Sequence, residues 1–373
     1  MIYADNAATT KLDINVFEAM KPYLLEEYGN ASQPYSFSRS AKAAIKNARQ
    51  TVALCINAKP DEIYFTSGGT ESDNWAIKGS AFSDADYKTT ITSQIEHHAV
   101  LNACVTIKRL RYPVVYLRAI KDGVITPTEL ESVINNRTRL VSVMLVNNEI
   151  GTIQPVKELC SIAHAHGAVF HTDAVQALGH IPVDVHELGV DMLSASAHKF
   201  NGPKGIGFLY IRKGTIIVPY ADGGAQEFGF RAGTENVASI VGMATALKAN
   251  CEKLDKNTAQ IKGLERLLIE KLNDASIQFV RNGGNNTLPG LLSLSFTGAE
   301  GEAILHRMDL LGISISTGSA CDSMHTEISH VLQAIRLDKT LANRTIRISL
   351  GKNNTVEDVE AIATALKKIE CDR

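Results

Sequence analysis

The chain has 373 residues, 45% hydrophobic and 21% charged, with a formal net charge of −2. That is enough sequence for two domains with sizeable cores, and it lacks the basic field that nucleic acid requires. No uncharged apolar run is long enough to span a membrane, and the first residues, which include Asp5, carry no secretory pattern. The six cysteines are Cys55, Cys104, Cys160, Cys251, Cys321 and Cys371. Their spacing excludes paired zinc ligands and a disulfide framework, so no metal, reduced thiols and a cytoplasmic setting are expected.

In chain order, Asp13 to Glu27 and Ser38 to Cys55 read as helices with one apolar face, separated by a turn-rich loop from Tyr28 to Ser36. From Glu62 onward, short apolar runs alternate with helical segments. Ile63 to Phe65 precedes Thr70 to Phe82, Thr89 to Thr92 precedes His97 to Arg109, and Leu140 to Val146 precedes Val156 to Ala165. Val169 to Thr172, Val190 to Leu193 and Gly207 to Ile211 are further apolar runs. This alternation predicts an α/β fold on a mostly parallel sheet. Val237 to Leu254 is a long helix, and Thr258 to Asp274 another, with Ile261, Leu264, Leu268 and Leu272 on one face. Strands are expected at Ile277 to Val280, Leu291 to Phe296, Ile313 to Ser316 and Thr345 to Leu350, with helices at Glu300 to Leu311, Thr326 to Ile335 and Val356 to Ile369. This second part is a smaller α+β unit. The expected division is a large domain over 13–255 and a small one from 1–12 with 256–373, the latter carrying Cys321.

Polar groups stand where predicted strands end. Thr66-Ser-Gly-Gly-Thr70-Glu-Ser72 lets the backbone approach a ligand, and the helix that follows offers N–H groups to a phosphate, although an ordinary strand-to-helix turn reads the same. It is neither a Walker loop nor a Gly-x-Gly-x-x-Gly pattern. His97 and His98 follow Glu96 at a strand end, where an imidazole can stack on a flat ring, move protons or simply satisfy a turn. Asn147-Asn148-Glu149 fits a binding wall or an Asx-type turn. Asp173 sits where a buried strand stops, which calls for a cation, a metal or several N–H partners unless it caps a helix; Gln176 is three positions on. Ser194 to Gly205 gathers hydroxyls, His198 and Lys199 into a turn. A lysine desolvated between strands is a nucleophile and Schiff-base former, whereas a lone loop lysine is ordinarily a surface group. Cys321 lies among Ser, Thr, Gly and Asp, unlike Cys55, Cys104, Cys160 and Cys251, which suit packing.

Taken in order, Ser-Gly-Gly-Thr70-Glu-Ser, Glu96-His-His-Ala, Val-Asn-Asn148-Glu-Ile-Gly, Asp173-Ala-Val-Gln176 and Ser196-Ala-His-Lys199 form a set. It continues with Arg231-Ala-Gly-Thr234-Glu-Asn, Thr-Gly-Ser-Ala-Cys321 and Ile346-Arg347-Ile-Ser-Leu-Gly351. Together these resemble the NifS/IscS-like cysteine desulfurases, pyridoxal-phosphate enzymes of the class V aminotransferase group, over nearly the whole chain. The resemblance implies a fold-type I architecture. It implies that Lys199 anchors pyridoxal 5'-phosphate, that Asp173 faces the pyridine nitrogen and that Gln176 bonds the ring oxygen. His97 would stack on the ring and transfer protons. Gly69, Thr70, Ser196 and His198 would hold the phosphate, and Thr234 would reach it from a neighbouring subunit, so a homodimer is implied. Asn148 and Arg347 would bind the carboxylate of L-cysteine. Cys321 would take the sulfur as a persulfide and pass it to an acceptor protein serving iron–sulfur cluster or thiolation pathways. Tyr35 and Ser38 stand where the family usually has histidine and glycine. A selenocysteine lyase or a small-amino-acid aminotransferase would share Lys199 and Asp173. A non-catalytic sulfur-transfer scaffold would need neither.

Overall fold

The computed structural model describes residues 1–83, 85–317 and 328–371. Its strands are β1 (Ile2–Tyr3), β2 (Ile63–Thr66), β3 (Thr89–Ser93), β4 (Val114–Leu117), β5 (Thr138–Ser142), β6 (Val169–Asp173), β7 (Met192–Ser196), β8 (Gly207–Ile211), β9 (Phe279–Asn282), β10 (Leu291–Phe296), β11 (Ile313–Ser314) and β12 (Thr345–Ser349). The helices are α1 (Ile14–Leu25), α2 (Arg39–Cys55), α3 (Gly69–Phe82), α4 (His98–Arg109), α5 (Pro127–Glu131), α6 (Val156–Ala165), α7 (Val185–Leu188), α8 (Val237–Glu252), α9 (Leu254–Asp274), α10 (Gly301–Leu310), α11 (His330–Ala334), α12 (Lys339–Asn343) and α13 (Val356–Cys371).

The large sheet has seven strands in the order β2-β8-β7-β6-β5-β3-β4. Neighbours from β7 through β4 run parallel, and β8 is reversed against both β2 and β7. Period-two alternation sends successive side chains to opposite faces, so the central strands need helices on both sides. Leu140, Met192 and Leu209 join one core, with Trp75 and Ile77 of α3 and Ile107 of α4. Their neighbours Val141, Leu193 and Phe208 join the other, with Val52 of α2 and Leu159 of α6. A three-stranded antiparallel sheet, β12-β10-β9, packs its apolar face against α9, α10 and α13 through Leu268, Ile304 and Leu366.

Most expected elements form, with informative differences. The helix expected to run to Leu254 ends at Glu252, and α9 starts at Leu254 rather than Thr258. The turn at Lys253 is where the chain leaves one core for another: Ala246 and Leu247 belong to the large core, while Leu264 and Leu268 belong to the small one. The run expected to be strand through Val146 leaves β5 at Ser142, yet Val143 and Leu145 still donate backbone bonds to His171 and Asp173. The helix expected from Thr326 is described only as His330–Ala334. The short edge strand β4, only partly buried, carries too weak a pattern to be read from sequence.

The segment from Ile2 to Thr10 ties both cores together. β1 pairs with β11, Ala4 packs in the small core, and Ala7 packs in the large one. The Ala7 amide donates to the Ser349 hydroxyl at 2.8 Å.

Candidate active site

Parallel strands end together, so the loops after β2, β3, β5, β6 and β7 meet at one edge of the sheet. They enclose a cavity of about 560 Å³. Gly69, Thr70, His97, Asn148, Asp173, Gln176, Ser196, His198, Lys199 and Arg347 all line it, as the sequence led us to expect. Thr234 does not; it lines a separate depression of about 210 Å³ that shares Ser67 and Gly205 with the first. Cys321 lies outside the described residues.

The start of α3 is built for close approach. Gly68 has φ of 150°, and a Cβ on Gly69 would lie 2.7 Å from the Val175 side chain. Only glycine fits that cradle, and the first helical N–H groups and the positive end of the dipole face the cavity as an anion seat. Thr70, Ser196 and His198 surround it. The Nδ1 of His198 is 3.0 Å from the Thr9 hydroxyl, and burial followed by the neighbouring Lys199 and Lys204 charges pulls its pKa down to about 4. The donor set fits the phosphate, ring and aldehyde of pyridoxal phosphate.

Lys199 follows β7 in a short 3₁₀ turn. Its Nζ donates to the Ala7 and Ala8 carbonyls at 2.5 and 2.9 Å. The Gln176 amide also donates to Ala7 O, at 2.8 Å. Asp173 accepts from the Val175 amide at 2.9 Å, and burial lifts its carboxyl to about 6, with Lys199 pulling the other way. His97 caps α4, its Nδ1 accepting from the Ala99 amide at 3.1 Å. That bond assigns the ring proton to Nε2. Burial, then Lys199, lowers its pKa to about 4, so the ring is neutral at pH 7. Arg347, on β12, is 3% exposed; it donates to Asn148 O at 2.9 Å and pairs with Asp5 at 2.8 Å.

Sequence reasoning missed several groups. Asp5 pairs with Arg347 across the whole chain, which no local pattern signals. Lys204, in the same turn as Lys199, is exposed but stands at the cavity rim. His330 also lines the cavity, its ring 4.7 Å from that of His98, and Ser329 donates to buried Glu149 at 2.5 Å. Asp73 lines the cavity too, one residue beyond the motif singled out above.

Buried Glu96 accepts from the Met144 amide at 3.1 Å and the Ser93 hydroxyl at 2.5 Å, and desolvation outweighs both, raising its pKa to about 8. The folded protein keeps a proton there that the unfolded chain releases near the ordinary carboxyl value, so stability falls as pH rises toward about 8. His97, His171 and His198 act oppositely. Neutral in the fold down to about 4, 3 and 4, they cost stability as pH drops below about 6.5, where the unfolded chain gains protons. Between about pH 6.5 and 8 the histidines are largely neutral in both states and Glu96 dominates, contributing a slope of up to about 1.4 kcal/mol per pH unit. Urea unfolding in that window is expected to show stability declining with pH, and Glu96→Gln is expected to flatten the decline. An unchanged slope would mean that Glu96 is ionised in the fold.

The chain belongs to the class-V aminotransferase family, whose model matches residues 2–362. Enzymes of this family that act as cysteine desulfurases depend on pyridoxal phosphate. Cysteine desulfurase IscS of Dictyoglomus turgidum is 48% identical over 370 residues, covering 99% of this chain and 94% of that protein. Cysteine desulfurase IscS of Methanosarcina thermophila is 46% identical over 369 residues, covering 99% and 91%. Among solved structures, a NifS-like protein superposes with a TM-score of 0.93 at 38% identity, covering 99% of this chain and 98% of its own. The structure described as SspA in complex with cysteine superposes at 0.84 with 37% identity, covering 95% and 100%.

Proposed function

We propose that this protein is a pyridoxal-phosphate-dependent cysteine desulfurase that converts L-cysteine to L-alanine and passes the sulfur, as a persulfide on Cys321, to an acceptor protein. The observation that carries this reading is the convergence of Lys199, Asp173, His97 and the glycine cradle of α3 on one cavity that Arg347 also enters. Gly69, Thr70, Ser196 and His198 would hold the cofactor phosphate, Asp173 and Gln176 its ring, and Lys199 its aldehyde. When bound, the cofactor supplies an electron sink for the bond broken at the substrate α-carbon.

The chain's own groups do the rest. Arg347 and Asn148 orient the substrate carboxylate, which places the amino group toward Lys199 and the thiol toward the cavity mouth. Lys199, between backbone carbonyls and the cavity, is positioned to take and return the α-proton through Nζ. His97, neutral with its proton on Nε2, would stack on the ring and present that N–H as a hydrogen-bond donor beside the reacting atoms. Thr234 lies in the neighbouring depression, which supports a homodimer in which this residue serves the partner's phosphate.

Supporting the division into domains 13–255 and 1–12 with 256–373 are the separate apolar cores, although Leu288, Leu291 and Val331 pack with the larger one. Among the described residues, Cys55, Cys104, Cys160 and Cys251 are free thiols, in keeping with a reducing, cytoplasmic setting; no helix among them is long and apolar enough to cross a membrane.

Incubated with L-cysteine, the protein is expected to gain the mass of one sulfur atom on Cys321 and to release alanine. Cys321→Ala is expected to lower alanine and sulfide formation by about 100-fold or more, as the loss of a catalytic nucleophile does. Full turnover in that variant would sink the persulfide reading and favour a lyase of the selenocysteine-lyase kind on the same scaffold; an aminotransferase would form no alanine from cysteine.

A further inference from the structure

A second carboxyl, on Asp73, lies under the cavity floor that holds Asp173. On β6, His171 and Asp173 share a face, because side chains alternate along a strand, and that face looks toward α3. Asp73 projects from α3 to meet them. It is 1% exposed, lines the cavity, and its Oδ1 has no hydrogen-bond partner. The His171 Nε2 is 3.7 Å from that oxygen. His171 is itself held at both ends, 2.8 Å from the Ser142 hydroxyl through Nδ1 and 2.9 Å from Ser194 through Nε2. A buried chain therefore runs Ser142–His171–Ser194 across the sheet, and Asp73 of α3 packs beside its histidine.

Charge must be sorted in this space. Asp73, Asp173 and Glu96 are all buried, and each raises the others' cost of ionising. The cation facing Asp173 is Lys199. The imidazoles of His97 on the α4 side and His171 on β6 are kept neutral, chiefly by burial, and the Cys104 thiol on α4 is pushed up to about 12. Nothing on α3, α4, β6 or β7 offers Asp73 a positive partner, and burial followed by repulsion from Asp173 raises its pKa well above the usual carboxylate range. Asp173 has a backbone N–H and the Lys199 charge in its favour, so it is the group that carries the anion.

We propose that Asp73 is a positioning residue for the cofactor site: a neutral carboxylic acid, packed beside the Ser142–His171–Ser194 chain, that leaves the negative charge on Asp173 and keeps that carboxylate toward the ring nitrogen. The proposal rests on the cofactor reading given above. It assigns opposite protonation states to two carboxyls that line one cavity.

The test uses the cofactor-loaded full chain with Asp73→Asn, Asp73→Ala and Asp173→Asn. The measurements are cofactor retention on dialysis, the pH midpoint of the bound chromophore's visible absorbance, and kcat and KM for cysteine. Asn mimics a protonated acid in shape and hydrogen bonding, so Asp73→Asn is expected to stay within about threefold of the parent in retention and kcat, with its absorbance midpoint unmoved. Asp73→Ala, which opens a void beside His171 under the cavity floor, is expected to lose about tenfold or more in retention and to move the midpoint. Asp173→Asn is expected to lose about 100-fold. An Asp73→Asn protein as impaired as Asp173→Asn would show that Asp73 is an anion and overturn the proposal. So would an Asp73→Ala protein indistinguishable from the parent. If Asp73→Ala does not fold, the infrared absorption of protonated carboxyls decides: because Glu96 also contributes at neutral pH, a component lost in Asp73→Asn but kept in Glu96→Gln supports the proposal, and a band unchanged by Asp73→Asn overturns it. Retention unaffected by Asp173→Asn would instead count against the cofactor reading itself.

Discussion

Lys199→Ala is expected to cut alanine formation from cysteine by about 10⁴-fold or more, the scale of removing a covalent catalytic group. The amine cannot be replaced in kind by any neighbour, because Lys204 is at the rim and Arg347 is committed to Asp5 and Asn148 O. A structural cost accompanies the chemical one. The Ala7 and Ala8 carbonyls both accept from Nζ, and losing those bonds is worth about 1–3 kcal/mol if water does not replace them. Lys199→Arg separates the two effects. A guanidinium keeps charge and donors but does not deprotonate, so that variant is expected to unfold in urea close to the parent and to be equally inactive. Turnover within about tenfold of the parent in either variant would contradict the assignment of Lys199.

Arg347→Ala is expected to be the second severe change, and to act on binding and stability together. The guanidinium is 3% exposed and its partner Asp5 is also largely covered, so truncation leaves a carboxylate without its cation; such losses cost about 3–5 kcal/mol. The substrate carboxylate loses its charge-assisted donor at the same time, which predicts a KM for cysteine higher by about 100-fold. Arg347→Lys restores charge but not the fork, and is expected to recover stability more than KM. A KM unchanged in Arg347→Ala would remove this residue from the substrate site and leave it a purely structural partner of Asp5.

The sequence was most legible where a local pattern met a local cause. Leu291–Phe296, Gly207–Ile211 and Val156–Ala165 form as expected because apolar runs of strand or helix length end at polar turns. The cavity residues were legible for a related reason: strands that end in Asp173, Ser196 and the turn after Thr66 carry polar groups where buried strands stop. What stayed hidden was non-local. Asp5 with Arg347 and Ala7 with Lys199 are partners that only the closed fold brings together. Asp73 was invisible for a different reason. On an exposed helix it would be unremarkable, and its meaning comes from being 1% exposed among other acids. The break at Lys253 likewise carries no proline or glycine; it follows from which core each helix must face.

The segment from Ile2 to Thr10 has a consequence for how the protein assembles. Its bond from Ala7 to Ser349 joins residues 342 positions apart, a pairing that closes nearly the whole chain into a loop. The βα units of the large sheet are made of nearer neighbours and can form before it. Lys199 and Gln176 gain their Ala7 carbonyl only when that segment docks. A state with an intact large sheet but an undocked N-terminal segment would therefore lack the carbonyl partners that hold Lys199 and Gln176.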